Sequence, residues 1–202
     1  MMRAELFTAG TRLAFDWLGM QTARLGVGSL YLSAPDCAIA QAWLWRLPQT
    51  IKEVFVDETA TGLLLPDQWR ITVQPLPPSH SPFLSIYPFT LDATNTPFQG
   101  EHVLGCLHNR LSYRGLLHSR ESGRNLRWLR QKAQREGYNL ETAIGIYPPA
   151  FVWRWALTML AARISPRLED YWRQRAFEHL ASRQPFALQF SSILAFHARR
   201  VV

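Results

Sequence analysis

The chain has 202 residues, is 48% hydrophobic and 18% charged, and carries a formal net charge of +7. This composition excludes a disordered chain, because the apolar content is sufficient for a core and the charge density is low. The two cysteines, Cys37 and Cys106, exclude a disulfide framework and predict a cytoplasmic setting. The longest apolar run, Pro148 to Ala162, is interrupted by Arg154 and is shorter than the roughly 20 residues of a bilayer span. We therefore expect no membrane partner.

The N-terminal half predicts several strands and one helix. Leu13, Phe15 and Trp17 alternate with polar or small residues, as in a half-buried strand, and GSLYLS predicts a second strand. SAPDCAIAQAWLWRLP predicts a helix that Ser33 caps and that ends before Pro48. IKEVFV and QWRITVQP predict two further strands, so the order is β-α-β-β.

A proline-rich stretch, QPLPPSHSPFLSIYP, follows between Pro75 and Pro88. Proline removes a backbone donor and restricts φ, so this stretch predicts a stiff connector or an edge segment rather than a central strand. We divide the chain here, into residues 1–88 and 89–202.

The C-terminal half predicts mainly helices. One is expected from Arg120 to Arg135 and ends at Gly137, and two more are expected over residues 150–163 and 166–183. The tail, PFALQFSSILAFHARRVV, alternates in hydrophobicity and predicts a strand, although a helix fits a segment of this length as well.

The positive charge of the chain is concentrated in RLSYRGLLHSRESGRNLRWLRQKAQR, from Arg110 to Arg135. The segment contains seven arginines, one lysine and a single acid, Glu121, so its net charge of +7 equals that of the whole chain. On a helix, Leu126, Leu129 and Ala133 would share one side and leave a cationic face. Cationic groups hold phosphates and interleaved aromatic rings stack on unpaired bases. The predicted nucleic-acid-binding residues are Arg110, Arg114, Arg120, Arg124, Arg127, Arg130, Lys132, Arg135, Tyr113 and Trp128.

Candidate catalytic and metal-binding residues flank the same segment. His108, Tyr113 and His118 could supply the base and the phosphorane-stabilising group of metal-independent RNA cleavage. The spacing of His102, Cys106, His108 and His118 matches no zinc template, so we expect no metal. No nucleotide-binding glycine motif appears, so we expect no cofactor.

The β-α-β-β start, the run SYRGLLHSRESGRNLRWLRQKAQR and the tail QPFALQFSSILAF together resemble a known superfamily. It is the ferredoxin-like superfamily of CRISPR repeat-associated proteins that bind or process guide RNA. The resemblance implies an α+β fold. A ferredoxin-like module would occupy residues 1–88, and an arginine-rich helix and a mainly helical part returning to a strand would occupy residues 89–202.

The same resemblance implies an RNA-binding subunit of a ribonucleoprotein, a CRISPR effector complex of antiviral defense with further protein subunits. The processing enzymes of that superfamily usually carry a catalytic histidine in the N-terminal module. This chain has no histidine before His80, so we expect binding without efficient cleavage.

Three alternatives stay open. The arginine-rich helix could be a protein interface in a structural adaptor of a secretion or phage-assembly machine. The chain could instead be a guide-RNA-processing endoribonuclease, or it could bind DNA, although no helix-turn-helix is visible.

Overall fold

A computed structural model describes residues 9–45, 47, 50–56, 70–73, 84–93, 96–112, 124–146, 181–183 and 185–201. Its strands are β1 (Ser29–Leu32), β2 (Glu53–Val56), β3 (Arg70–Val73), β4 (Leu84–Pro88), β5 (His102–His108), β6 (Tyr138–Ile146), β7 (Ala181–Ser182) and β8 (Ile193–Arg200). Its helices are α1 (Ala9–Leu25), α2 (Cys37–Leu44), α3 (Thr90–Ala93), α4 (Leu126–Arg135) and α5 (Pro185–Phe190). Among the described residues, no helix is both long and apolar enough to cross a membrane.

The strands form one mixed sheet in the order β3-β2-β1-β4-β5-β8-β6-β7. The first five strands in this order are parallel, and β8 lies antiparallel between β5 and β6. The chain moves outward from β1 to β3 and then crosses back to β4 on the other side of β1. This reversal is the topological switch point of a doubly wound α/β sheet.

The predicted α+β fold with a ferredoxin-like module is therefore wrong, and the fold is α/β. The strands β2 and β3 pair in parallel, whereas two consecutive strands without a helix between them, as in the expected β-α-β-β order, would have made an antiparallel hairpin. Strands β5 and β6 also occupy the part that was predicted to be mainly helical before a final strand. Strands of residues 1–88 and 89–202 lie side by side in the sheet, since β4 pairs with β5.

The strand predicted around Leu13 and Trp17 is also wrong, because these residues belong to α1. Phe15 and Leu18 are fully buried, and the Thr22 hydroxyl donates to the Leu18 carbonyl at 2.8 Å. Burial at spacings of three and four is helical. Three alternating residues were too few to distinguish the two periods.

The end of the proline-rich stretch is not a connector but the central strand β4, which lies between β1 and β5 and is buried throughout. Its residues Leu84 to Tyr87 contain no proline, so their backbone donors are available to both neighbouring strands, and Pro88 stands at the strand end. The position of proline within the segment decides its structure, not the number of prolines.

Several local predictions are confirmed. The strands β1, β2, β3 and β8 lie where the sequence predicted them, and the tail has a helix, α5, before β8. The cap of α2 is Asp36 and not Ser33, since the Asp36 carboxylate accepts from the Ile39 N–H at 2.8 Å. The helices predicted at 150–163 and 166–183 lie outside the described residues, apart from 181–183, where β7 is found.

Two apolar cores lie on the two faces of the sheet. One holds side chains of α1 and α2 against Leu104, Cys106 and Ala195. The other holds side chains of α3, α4 and α5 against alternate residues of the same strands, including Phe196. The helix that carries the predicted arginine face is thus anchored on the face opposite α1.

Candidate nucleic-acid interface

Helix α4 is held to the sheet by one apolar side. Leu126, Leu129 and Ala133 are buried in the second core, as their spacing predicted. The side chain of Asn125 caps the helix by accepting from the Trp128 N–H at 2.8 Å. Gly137, with φ of 79°, follows the helix end, where the left-handed region favours glycine. The opposite side of α4 is left to solvent.

That solvent side carries arginines. Arg127, Arg130 and Arg135 are exposed on α4, and Arg110 is exposed just after β5. Within the described part of the chain, none of these four has an ion-pair partner. We call these four residues together with Arg124 the arginine surface.

Backbone contacts join the two parts of the arginine surface. Asn109 and Arg124 form an isolated parallel bridge. The Arg110 N–H donates to the Arg124 carbonyl at 3.0 Å, and the Arg124 N–H donates to the His108 carbonyl at 3.1 Å. The buried Asn109 amide donates to the Gln189 carbonyl at 2.8 Å. These bonds hold Arg110 and Arg124 beside each other at the carboxyl end of β5.

Trp128 is half-buried rather than free for a base. Its indole packs on the second core, and the Arg124 guanidinium carbon lies 5.0 Å from the ring centroid. This is a cation–π geometry, so the indole supports Arg124.

Lys132 does not belong to the arginine surface. It is only 5% exposed, and its ammonium lies 2.6 Å from Glu136 and 5.0 Å from the Phe98 ring centroid. The other Glu136 oxygen accepts from the Phe98 N–H at 2.7 Å. The lysine charge is therefore used inside the fold. The position of Glu136 four residues after Lys132 was the available sequence signal.

The remaining predicted residues, Tyr113, Arg114, His118 and Arg120, lie outside the described residues. Their contribution to the interface stays a prediction.

His108 is the one catalytic candidate within the described ranges. It is exposed, and its ring stacks on that of Phe89 with centroids 4.4 Å apart. His102, at the other end of β5, is about 20 Å away along the strand. No group of three or more His, Cys, Asp or Glu side chains suited to a metal occurs among the described residues.

A histidine pair that sequence reasoning missed links β5, β6 and β8. His102 Nδ1 lies 3.1 Å from His197 Nε2, and His197 Nδ1 lies 3.3 Å from Glu141. Glu141 falls at the register shift between Leu140 and Thr142, where a bulge re-aims a side chain. Burial lowers the pKa of His197, Glu141 opposes this shift, and His102 and Arg199 add to it.

At the switch point between β1 and β4, several polar groups bond to one another. The Ser33 N–H donates to the Ile86 carbonyl at 3.0 Å, and the Thr90 hydroxyl donates to the Ser33 carbonyl. The Phe89 N–H donates to the Cys106 carbonyl at 2.8 Å. Phe89 has φ of 61°, which is a strained backbone region for a bulky residue. Open α/β sheets bind ligands at this position.

Comparison with known proteins adds little to this site. No protein-family model matches the chain, and no curated protein matches it. Among solved structures, one similar chain is a loganic acid methyltransferase with SAH. The alignment covers 96% of this chain and 92% of that one, at 8% sequence identity and a TM-score of 0.45. A likeness at this level carries no argument about function.

Proposed function

We propose that this protein binds single-stranded RNA through the arginine surface. The observation that supports this proposal is the pairing of a buried apolar side of α4 with exposed arginines that lack acidic partners within the described residues. The anchored helix thus presents cations that no acidic group of the described residues neutralises.

Charge energetics favour a polyanion over solvent alone. Arg127 and Arg130 are neighbours on one helix face, and like charges at such spacing destabilise a helix by a few tenths of a kcal/mol. Phosphates would relieve this repulsion, and arginine holds phosphate oxygens through its planar fork. The Arg124 guanidinium, supported by Trp128, suits stacking on an unpaired base.

The wider cellular setting is a separate proposal, which rests on the sequence resemblance alone. The described part of residues 1–88 does not form the ferredoxin-like unit on which the CRISPR resemblance partly rested. The RNA-binding proposal rests on the arginine surface and not on this resemblance. Membership in a CRISPR ribonucleoprotein, partner subunits and a cytoplasmic location stay predictions. Sequencing of RNA that copurifies with the protein would test them, since repeat-derived RNA is expected.

The salt dependence of binding tests the RNA proposal. The double variant Arg127→Gln/Arg130→Gln should weaken binding of a single-stranded RNA, with a salt slope lower by about 0.7 for each lost phosphate contact. A matched control is Arg12→Gln/Arg24→Gln, which removes two exposed arginines of α1 on the opposite sheet face. Fluorescence anisotropy across a salt series measures both quantities.

Two outcomes would change the proposal. If the α4 variant binds RNA with the wild-type affinity and slope, the arginine surface is not the RNA site. If wild-type protein binds no RNA even at low salt, the protein-interface alternative replaces the proposal. Equal affinity for a DNA strand of the same sequence would widen it to single-stranded nucleic acid.

A second candidate function is small-ligand binding at the switch point, and the strained backbone of Phe89 favours it. Such strain is concentrated at functional sites. The Asp36 carboxylate already caps α2, so a phosphate at this helix end would meet like charge. A ligand without phosphate is therefore favoured here, and adenosine serves as the probe. Adenosine at millimolar concentration should raise Tm and ATP should not, and absence of any shift with adenosine would contradict nucleoside binding at this position.

A further inference from the structure

A groove of about 290 Å³ opens beside the arginine surface, between α4, β6 and α5. Its apolar floor is formed by Leu140, Ala143 and Leu188, and its rim by Arg130, Gln134, Asn139 and Glu141. The four rim residues are exposed. Arg130 and Gln134 stand four residues apart and thus on one side of α4. The groove and the arginine surface share Arg130.

Helix α4 supplies two polar groups of the rim. Arg130 offers a guanidinium, and Gln134 offers a carboxamide that both donates and accepts. The Glu141 carboxylate lies 3.3 Å from His197. Because His197 is two residues after Ala195 of the first core, this carboxylate belongs to the α1 face of the sheet and not to the groove. A ligand that satisfies this rim has a flat apolar body, an edge with mixed donors and acceptors, and a nearby negative charge.

We infer that the groove holds one unpaired nucleotide of the bound RNA and prefers adenine. This inference rests on the proposed RNA binding and adds the recognition site. A glutamine side chain such as that of Gln134 pairs with adenine in a bidentate manner. Arg130 holds the adjoining phosphate, and the apolar floor packs against the base. The volume lies at the lower limit for small-ligand sites, which suits one nucleotide.

Base preference tests the inference separately from affinity. Wild-type protein should bind 12-nucleotide oligo(A) about tenfold more tightly than oligo(C) or oligo(U), since a good bidentate pair discriminates by that order. Gln134→Ala should reduce this ratio toward one by weakening the binding of oligo(A). Gln131→Ala is the matched control, because Gln131 is exposed on α4 and does not line the groove.

The outcomes separate the two proposals. Arg127→Gln should weaken binding of all three oligonucleotides by the same factor, because Arg127 does not line the groove. If RNA binds and the oligo(A) to oligo(U) ratio is the same in wild type, Gln134→Ala and Gln131→Ala, the groove inference is wrong and RNA binding stands. If no oligonucleotide binds to wild type, both are wrong.

Discussion

The switch-point loops and the outer side of α4, two regions that the structure describes, use their polar groups in opposite ways. At the switch point, Ser33 and Thr90 bond to each other and to the neighbouring strand, and both are buried. On α4, the guanidinium groups of Arg127 and Arg130 face solvent. The fold alone would direct attention to the first region, whereas the unsatisfied charge lies on the second.

The histidine pair and Lys132 extend this comparison. Both are ionisable and both lie among partners, with Lys132 against Glu136 and His197 between Glu141 and His102. Groups satisfied within the fold should affect stability, and groups left to solvent should affect binding. Four measurements test this division, in order of decreasing change in stability.

Leu129→Ala should lower the free energy of unfolding by about 2–5 kcal/mol, because a fully buried leucine is lost and a cavity is left. Leu129 has no exposed surface and anchors α4 in the second core. Urea denaturation measures the change, with Arg127→Ala as the exposed control on the same helix. A loss below about half a kcal/mol would make Leu129→Ala equivalent to a surface substitution. It would mean that the apolar side of α4 does not anchor the helix.

Thr90→Val should lower the free energy of unfolding by about 1–3 kcal/mol, because the buried Ser33 carbonyl loses the hydroxyl that donates to it. The control is Thr90→Ser, which keeps the hydroxyl and should retain much of the stability. Wild-type stability in the valine variant would show that the switch-point loops are not tied by this bond.

Burial lowers the pKa of His197 from its ordinary value of 6.5. Stability should therefore decrease as the pH falls below about 6.5. In this range His197 binds a proton in the unfolded chain and stays neutral in the folded one, so acid favours unfolding. The loss should level off below the lowered folded-state pKa. The His102 ring, whose Nδ1 lies 3.1 Å from His197 Nε2, adds to the lowering of the His197 pKa.

Thermal unfolding between pH 8 and 5 measures this dependence. His197→Gln should flatten it, and Gln131→Ala, an exposed substitution without a titratable group, should not. The same slope in His197→Gln and wild type would assign the pH dependence to other groups.

The smallest expected effect on stability comes from the arginine surface. Arg127→Gln/Arg130→Gln should change the free energy of unfolding by less than about half a kcal/mol, because exposed substitutions rarely do more. Chemical denaturation at low salt measures it. A large destabilisation would show that these arginines have structural partners and would weaken the RNA proposal.

Prediction from the sequence succeeded where structure depends on neighbours along the chain. The apolar spacing of Leu126, Leu129 and Ala133 correctly predicted which side of α4 is buried, and hence that Arg127 and Arg130 are exposed. It failed for β4, where prolines obscured a central strand, and for α1, where a short alternation resembled a strand. Strand β5 was not predicted at all, because EHVLGCLHNR was interpreted only as possible metal ligands.

Local patterns in the sequence predicted β1, β2, β3, the buried side of α4 and the placement of the positive charge, since propensity, periodicity and charge are properties of neighbouring residues. The strand order brings Leu30 beside Leu84 and His102 beside Arg199, and it depends on contacts across long stretches of chain. Such contacts also decide which of the described cations have an acidic partner. Lys132 and Arg130 look alike in the sequence, yet Phe98 and Glu136 enclose one of them and the solvent surrounds the other. Such contacts depend on residues distant in the chain, and a local pattern contains no information about them.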